Sequence, residues 1–216
     1  MKKISISFIS LTLITVVIFF VSCVNKKKGR LFTQLSANES GIYFNNEIED
    51  NDSTKSIINE FGFMGGGVGI GDFNNDGLKD IFFSGNQVSC GLYINKGKKK
   101  FEDITKAAGV GSDVWCTGVS VVDINSDGYD DIYVCVYGKN LLRRAKNLLF
   151  INQRDLTFKE EAESYGLADT SYSTQAVFFD YDKDGDLDIY LANYLLNSGN
   201  ANNIVPRDKS GYSPAN

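Results

Sequence analysis

The 216 residues hold 27 acids against 22 bases and no histidine, for a formal charge of −5 at pH 7. That balance argues against the basic face of a nucleic-acid binder, and the missing imidazole removes the usual general base and the usual ligand of zinc, copper and iron sites. Length alone suggests one complete domain.

The chain opens on Lys2-Lys3, an apolar run from Ile4 to Val21, and Ser22-Cys23. This reads as a secretion signal over residues 1–23 ending in a lipoprotein cleavage site, with Cys23 as the lipidated N-terminus. The 18-residue apolar run is also long enough for an uncleaved anchor, but Lys26, Lys27, Lys28 and Arg30 would then favour the wrong orientation. Residues 24–60 are rich in Asn, Glu and Ser and read as a polar tether. Their firm apolar groups, Leu31, Phe32, Ile42, Tyr43 and Phe44, are candidates for an edge strand on the domain that follows.

That domain is expected over residues 61–216, and it begins with the sequence Asp72-Phe73-Asn74-Asn75-Asp76-Gly77-Leu78-Lys79-Asp80-Ile81. The pattern recurs as Asp123-Ile124-Asn125-Ser126-Asp127-Gly128-Tyr129-Asp130-Asp131-Ile132 and as Asp180-Tyr181-Asp182-Lys183-Asp184-Gly185-Asp186-Leu187-Asp188-Ile189. Oxygen side chains at positions 1, 3, 5 and 9, a glycine at 6 that permits a sharp turn, and a backbone carbonyl at 7 form the donor pattern of a calcium loop. The expected ligands are Asp72, Asn74, Asp76, the Leu78 carbonyl and Asp80 in the first loop. In the second they are Asp123, Asn125, Asp127, the Tyr129 carbonyl and Asp131, and in the third Asp180, Asp182, Asp184, the Asp186 carbonyl and Asp188. A single cluster of this kind is commonly a solvated turn, but a turn does not need aspartate at position 9 three times. An EF-hand is excluded because its twelfth-position Glu is replaced by Phe83, Val134 and Leu191. The third loop is expected to bind most tightly, since Asp182 supplies a charge where Asn74 and Asn125 supply an amide.

Apolar or small residues flank each loop: Val68 and Ile70, Val119 and Val121, and Ala176 and Phe178 before, with Ile81-Phe82-Phe83, Ile132-Tyr133-Val134 and Ile189-Tyr190-Leu191 after. Short runs of this kind read as strands, so each loop closes a β-hairpin. Gly67, Gly69 and Gly71 alternate with Val68 and Ile70, which predicts close backbone approach on one face. Farther on, Leu92-Tyr93-Ile94-Asn95 and Phe101-Glu102-Asp103-Ile104 are echoed by Leu149-Phe150-Ile151-Asn152 and Phe158-Lys159-Glu160-Glu161. The loops are offset by 51 and then 57 residues, and the six extra residues fall in an insertion between Tyr137 and Asn147. One unit is therefore four antiparallel strands repeated at roughly 50 residues, the period of a propeller blade. The prediction is an all-β chain, a partial β-propeller of about two and a half four-stranded blades with calcium-binding hairpin loops. Strands beside the loops are expected to be apolar on both faces, and the third and fourth strands of each unit to carry more charge.

The run from Gly67 through Ile81, followed by Leu92-Tyr93-Ile94-Asn95-Lys96-Gly97 and Phe101-Glu102-Asp103-Ile104-Thr105, resembles the FG-GAP/VCBS repeats. The resemblance covers roughly residues 61–200. It implies a calcium-bearing β-propeller similar to that of integrin alpha subunits. Leu31-Phe32-Thr33-Gln34 and Gly41-Ile42-Tyr43-Phe44 also resemble the start of large envelope lipoproteins that carry such repeats and often an ASPIC/UnbV domain.

Residues 195–216 contain nothing like the outer-strand segments of the first unit, so the chain reads as the N-terminal part of a longer protein. Cys90, Cys116 and Cys135 each lie in or beside a strand, where a Cys116–Cys135 bridge and buried free thiols are both open. Lys96, Lys98, Lys99 and Lys100 fall in a hairpin connection and read as a solvated turn. The functional expectation is a non-enzymatic, calcium-binding module for binding or adhesion. It would be exported and held by its lipid on the cell envelope, at the outer membrane, facing an extracellular protein or glycan. The alternatives are the N-terminal part of an extracellular glycan-processing enzyme or of a surface nutrient-uptake component.

Overall fold

The computed structural model describes residues 31–49, 65–138 and 144–194. The expectations for the leader, for Cys23, for the greater part of the tether, for part of the insertion and for the carboxyl end lie outside the described residues. The chain divides into a unit of residues 1–35 and a unit of residues 36–216, and every described helix and strand belongs to the second.

That unit is all-β apart from two single helical turns, α1 (Ala37–Ser40) and α2 (Thr105–Ala108). Sheet 1 has the order β1 (Val68–Gly71), β2 (Asp80–Phe83), β3 (Gly91–Asn95), β4 (Phe101–Asp103). Sheet 2 repeats it with β5 (Trp115–Val122), β6 (Asp131–Gly138), β7 (Leu148–Asn152) and β8 (Phe158–Glu160). Sheet 3, among the described residues, is the pair β9 (Tyr172–Phe179) and β10 (Asp188–Tyr194). Every pairing is antiparallel between sequence neighbours, the arrangement short connections permit. The three acidic loops sit in identical register, since Gly71 faces Asp80, Val122 faces Asp131 and Phe179 faces Asp188.

Sheet 2 is buried on both faces. All eight residues of β6 are buried, and strand alternation sends Ile132, Val134 and Val136 into one apolar cluster with Phe73, Phe82, Leu92 and Ile94. Tyr133 and Cys135 point the other way, into a second cluster with Leu149, Ile151 and Ala176. The glycines of β1 make the first contact close. A Cβ on Gly69 would lie 2.8 Å from both Val119 Cγ1 and Val121 Cγ2, and one on Gly67 would lie 2.6 Å from the Thr117 carbonyl oxygen. On the opposite face of β1, Val68 and Ile70 are exposed, as are Val177 and Phe179 of β9.

Two expectations need correction. β3 and β7 are almost wholly buried rather than charged surface strands, because Leu92, Ile94, Leu149 and Ile151 fill the two clusters and only β4 is mostly exposed. No edge strand forms from Leu31, Phe32, Ile42, Tyr43 and Phe44. Instead Ser36 and Glu39 close a reciprocal capping box on α1, Gly41 ends it in the left-handed region, and Phe44 stacks on Phe83 at 4.8 Å. Asn46 and Asn86 exchange hydrogen bonds beyond it, so side-chain contacts hold this segment where a strand ladder was expected. Of the two alternatives left open for the cysteines, the structure holds the buried free thiols: Cys90, Cys116 and Cys135 are all free and buried. Cys116 pairs in register with Val136, which turns the neighbouring Cys135 to the opposite face of the sheet.

Candidate functional site

Each acidic loop has the same backbone. Position 4 is left-handed in Asn75, Ser126 and Lys183 (φ 55, 56 and 66°), and position 6 is left-handed in Gly77, Gly128 and Gly185 (φ 85, 87 and 97°). These turns aim successive N–H groups inward, and the first aspartate collects them. Asp72 accepts from Asp76 N at 3.0 Å and Gly77 N at 2.8 Å, and Asp123 accepts from Asp127 N at 2.9 Å and Gly128 N at 2.8 Å. Asn74 and Asn125 also accept from position 5, while the position-5 carboxylates Asp76 and Asp127 accept from Leu78 N and Tyr129 N. In loops 1 and 2 these bonds bring the sequence-predicted donors at positions 1 and 3 onto the same position-5 N–H.

Position 9 has a second role that sequence reasoning missed. Asp80 is fully buried; Phe73 N donates to its Oδ2 at 3.0 Å and Asn95 N to its Oδ1 at 2.8 Å. Asp131 repeats this with Ile124 N at 3.0 Å and Asn152 N at 2.8 Å. Each carboxylate therefore ties its loop to the third strand of its own sheet. The signal was present as an Ile-Asn pair, Ile94-Asn95 and Ile151-Asn152, in the echoed strand segments. Burial pushes Asp131 up to about 6 and raises Asp80 in the same direction, against the pull of these N–H donors. A carboxylate has about four lone-pair sites, so accepting two N–H groups leaves capacity for an ion.

The third loop keeps the bonds from Gly185 N to Asp180 Oδ2 and from Asp186 N to Asp184 Oδ1, and differs in how closely its carboxylates gather. Asp180, Asp182 and Asp188 each bring an oxygen to within 4.8 Å of the others, the one such carboxylate group among the described residues. Asp188 accepts from Tyr181 N at 2.8 Å and Asp180 accepts from Lys183 N at 2.6 Å. The Asp186 N–H, with help from the Asp182 side chain, holds the Asp184 carboxyl below the ordinary range, and the Asp184 side chain in turn raises Asp186. The chemistry of the donor set is uniform: hard oxygen ligands, no sulfur and no imidazole.

Loops 1 and 2 also hold each other. Asp72 N donates to Asp130 Oδ2 and the Asn75 amide to the Gly128 carbonyl, both at 2.8 Å. Asn152 Nδ2 reaches across to the Phe73 carbonyl at 2.8 Å. Arg154, from the turn between β7 and β8, donates to Asp127 Oδ2 at 3.2 Å with its guanidinium 5.9 Å from the centre of the Tyr129 ring. Burial works against ionisation of Asp127, but the Tyr129 N–H and Arg154 outweigh it and hold its carboxyl below the usual range.

Residues 72–134, from the first loop into β6, match the family model of the FG-GAP-like repeat, which supports an FG-GAP repeat protein. Over 142 residues the chain is 28% identical to cartilage acidic protein 1 of Xenopus tropicalis. The match covers 65% of this chain and 21% of that relative, so the chain spans about a fifth of the length of the curated protein it matches.

Proposed function

We propose that the chain is part of a calcium-stabilised β-propeller that serves as a binding or adhesion module rather than an enzyme, exported and lipid-anchored on the cell envelope through Cys23. The observation that carries this reading is the threefold recurrence of one loop conformation, with Asp180, Asp182 and Asp188 gathered within 4.8 Å in the third copy. Asp72, Asn74, Asp76, the Leu78 carbonyl and Asp80, and their counterparts in loops 2 and 3, would hold the ions. A bound calcium would supply the positive charge that relieves repulsion among these carboxylates. The stacking of sheet 1 on sheet 2 and of sheet 2 on sheet 3 supports a propeller, because sheet 2 lies between two neighbours as a blade would. In a ring of such sheets the connections between strands form the exposed ends, and these are the surfaces offered to an extracellular protein or glycan.

The test is calcium titration of the full chain after metal stripping, with elemental analysis and thermal melting. Binding at about 0.1 mM would add roughly 1.4 kcal/mol per site at millimolar calcium. No retained calcium and an unchanged melting temperature in chelator would overturn the metal reading. Anchoring is tested separately, by fatty-acid labelling that disappears in Cys23→Ala.

A further inference from the structure

Cys90 sits at the entry to β3 of sheet 1 and Cys116 in β5 of sheet 2. Both are buried, and their sulfurs lie 3.6 Å apart. The Ser112 hydroxyl caps the pair at 3.1 Å from Cys90 Sγ and 3.5 Å from Cys116 Sγ. The backbone already fixes this junction, since Cys116 N donates to the Gly85 carbonyl at 3.0 Å. A buried free cysteine packs as a small apolar side chain and needs no sulfur opposite it. Here two cysteines from different sheets meet sulfur to sulfur. A disulfide requires the sulfurs to close from 3.6 Å to about 2.05 Å.

We propose that Cys90 and Cys116 are a disulfide site, a covalent clasp between sheets 1 and 2 that is closed by a disulfide-type oxidant in an oxidising compartment. Cys90 is the attacking group, because the Cys116 thiol beside it lowers its pKa, whereas that contact and burial push Cys116 up. The Cys90 thiolate attacks an oxidant disulfide R–S–S–R, forming a Cys90–S–S–R mixed disulfide and expelling RS⁻. Cys116 then gives up its proton and its sulfur attacks Cys90 Sγ, closing the bond and expelling the second RS⁻. The two cysteines lose two electrons and two protons, and the oxidant leaves as two RSH molecules. Burial sets the timing: exchange occurs before the sheets close or through opening of the Ser84–Ser89 connection. Once the bond is closed, the same burial shields it from reduction.

The experiment uses the full 216-residue chain, refolded in a buffer of oxidised and reduced glutathione, then quenched, denatured, alkylated and mapped by mass spectrometry. The expected result is a linked pair of peptides carrying Cys90 and Cys116, with Cys135 alkylated. The melting temperature should stand several degrees above that of the reduced chain. Both effects should survive in Cys135→Ser and vanish in Cys116→Ser. Should Cys116→Ser fail to fold, the peptide map of the unaltered chain decides by itself. Alkylation of both Cys90 and Cys116 after refolding in oxidant, a stable glutathione adduct without closure, or a link to Cys23 or Cys135 would each overturn the proposal.

Discussion

Asp131 of loop 2 is fully buried with N–H donors on both carboxylate oxygens, whereas Asp188, its counterpart in loop 3, is only half-buried and accepts from Tyr181. The first loop behaves like the second. Loops 1 and 2 are held by their own protein contacts and by each other, while loop 3 concentrates three carboxylates within 4.8 Å of one another. One sequence pattern thus carries two different balances. In the first two loops hydrogen bonds within and between the loops fix the turn, and in the third three carboxylates lie close together.

The largest expected effect tests the clamp. Asp131→Ala leaves the Ile124 and Asn152 N–H groups without their acceptor, at about 1–3 kcal/mol each. Unfolding in denaturant should show a loss of about 3 kcal/mol or more, against about 1 kcal/mol for Asp188→Ala. Equal losses would mean that the two ninth-position aspartates do the same job. Next in size is the charge of the third loop. Asp182→Asn gives it the donor set of the other two, and calorimetric titration should show calcium affinity falling about tenfold, or ~1.4 kcal/mol. An unchanged affinity would remove charge as the distinguishing factor.

A smaller effect should appear with pH in the metal-stripped protein. Asp131 stands at about 6 when folded against an ordinary 3.8, and Asp80 is raised in the same direction, so the folded state binds more protons than the unfolded chain. Stability should therefore rise as pH falls from about 7 to about 5, before groups with lowered values such as Asp127 and Glu160 begin to oppose it. Thermal melting of Asp131→Asn should lose most of this slope; a wild-type melting temperature that falls over the same window would contradict the assignment. Smallest is Arg154→Ala. Its ion pair with Asp127 is more than half exposed on the arginine side, so solvent screens it and its contribution to stability is small. Calcium affinity at loop 2 should rise by no more than a few fold in low salt and by less in high salt.

The loops and the hairpins they close were legible because their requirements are local. Asp72, Gly77 and Asp80, with apolar runs on either side, specify turn, backbone hand and strand without reference to the rest of the chain. The close approach predicted for Gly67, Gly69 and Gly71 was also legible, since alternating glycine has few other uses in a strand. What escaped the sequence was pairing over distance. Nothing near Asp131 says that its carboxylate reaches Asn152, nothing near Cys116 names Cys90, and nothing in Phe44 or Asn46 names Phe83 and Asn86. The charge expected on β3 and β7 failed similarly: their burial depends on the neighbouring strands that cover them.

The bonds from Asp80 to Asn95 and from Asp131 to Asn152 join residues 15 and 21 positions apart, yet both are 2.8 Å long. The six added residues of the second connection leave the clasp undisturbed, because β6 ends and β7 begins at the same end of their antiparallel pair. Lengthening a surface connection costs only a fraction of a kcal/mol per doubling, roughly 0.6. The repeat is therefore a cassette whose closure is fixed by two residues and whose connecting arc is free to vary. Such a unit can be copied along a chain and given a new arc in each copy, so that surface shape diversifies while the loop that anchors it stays as it was.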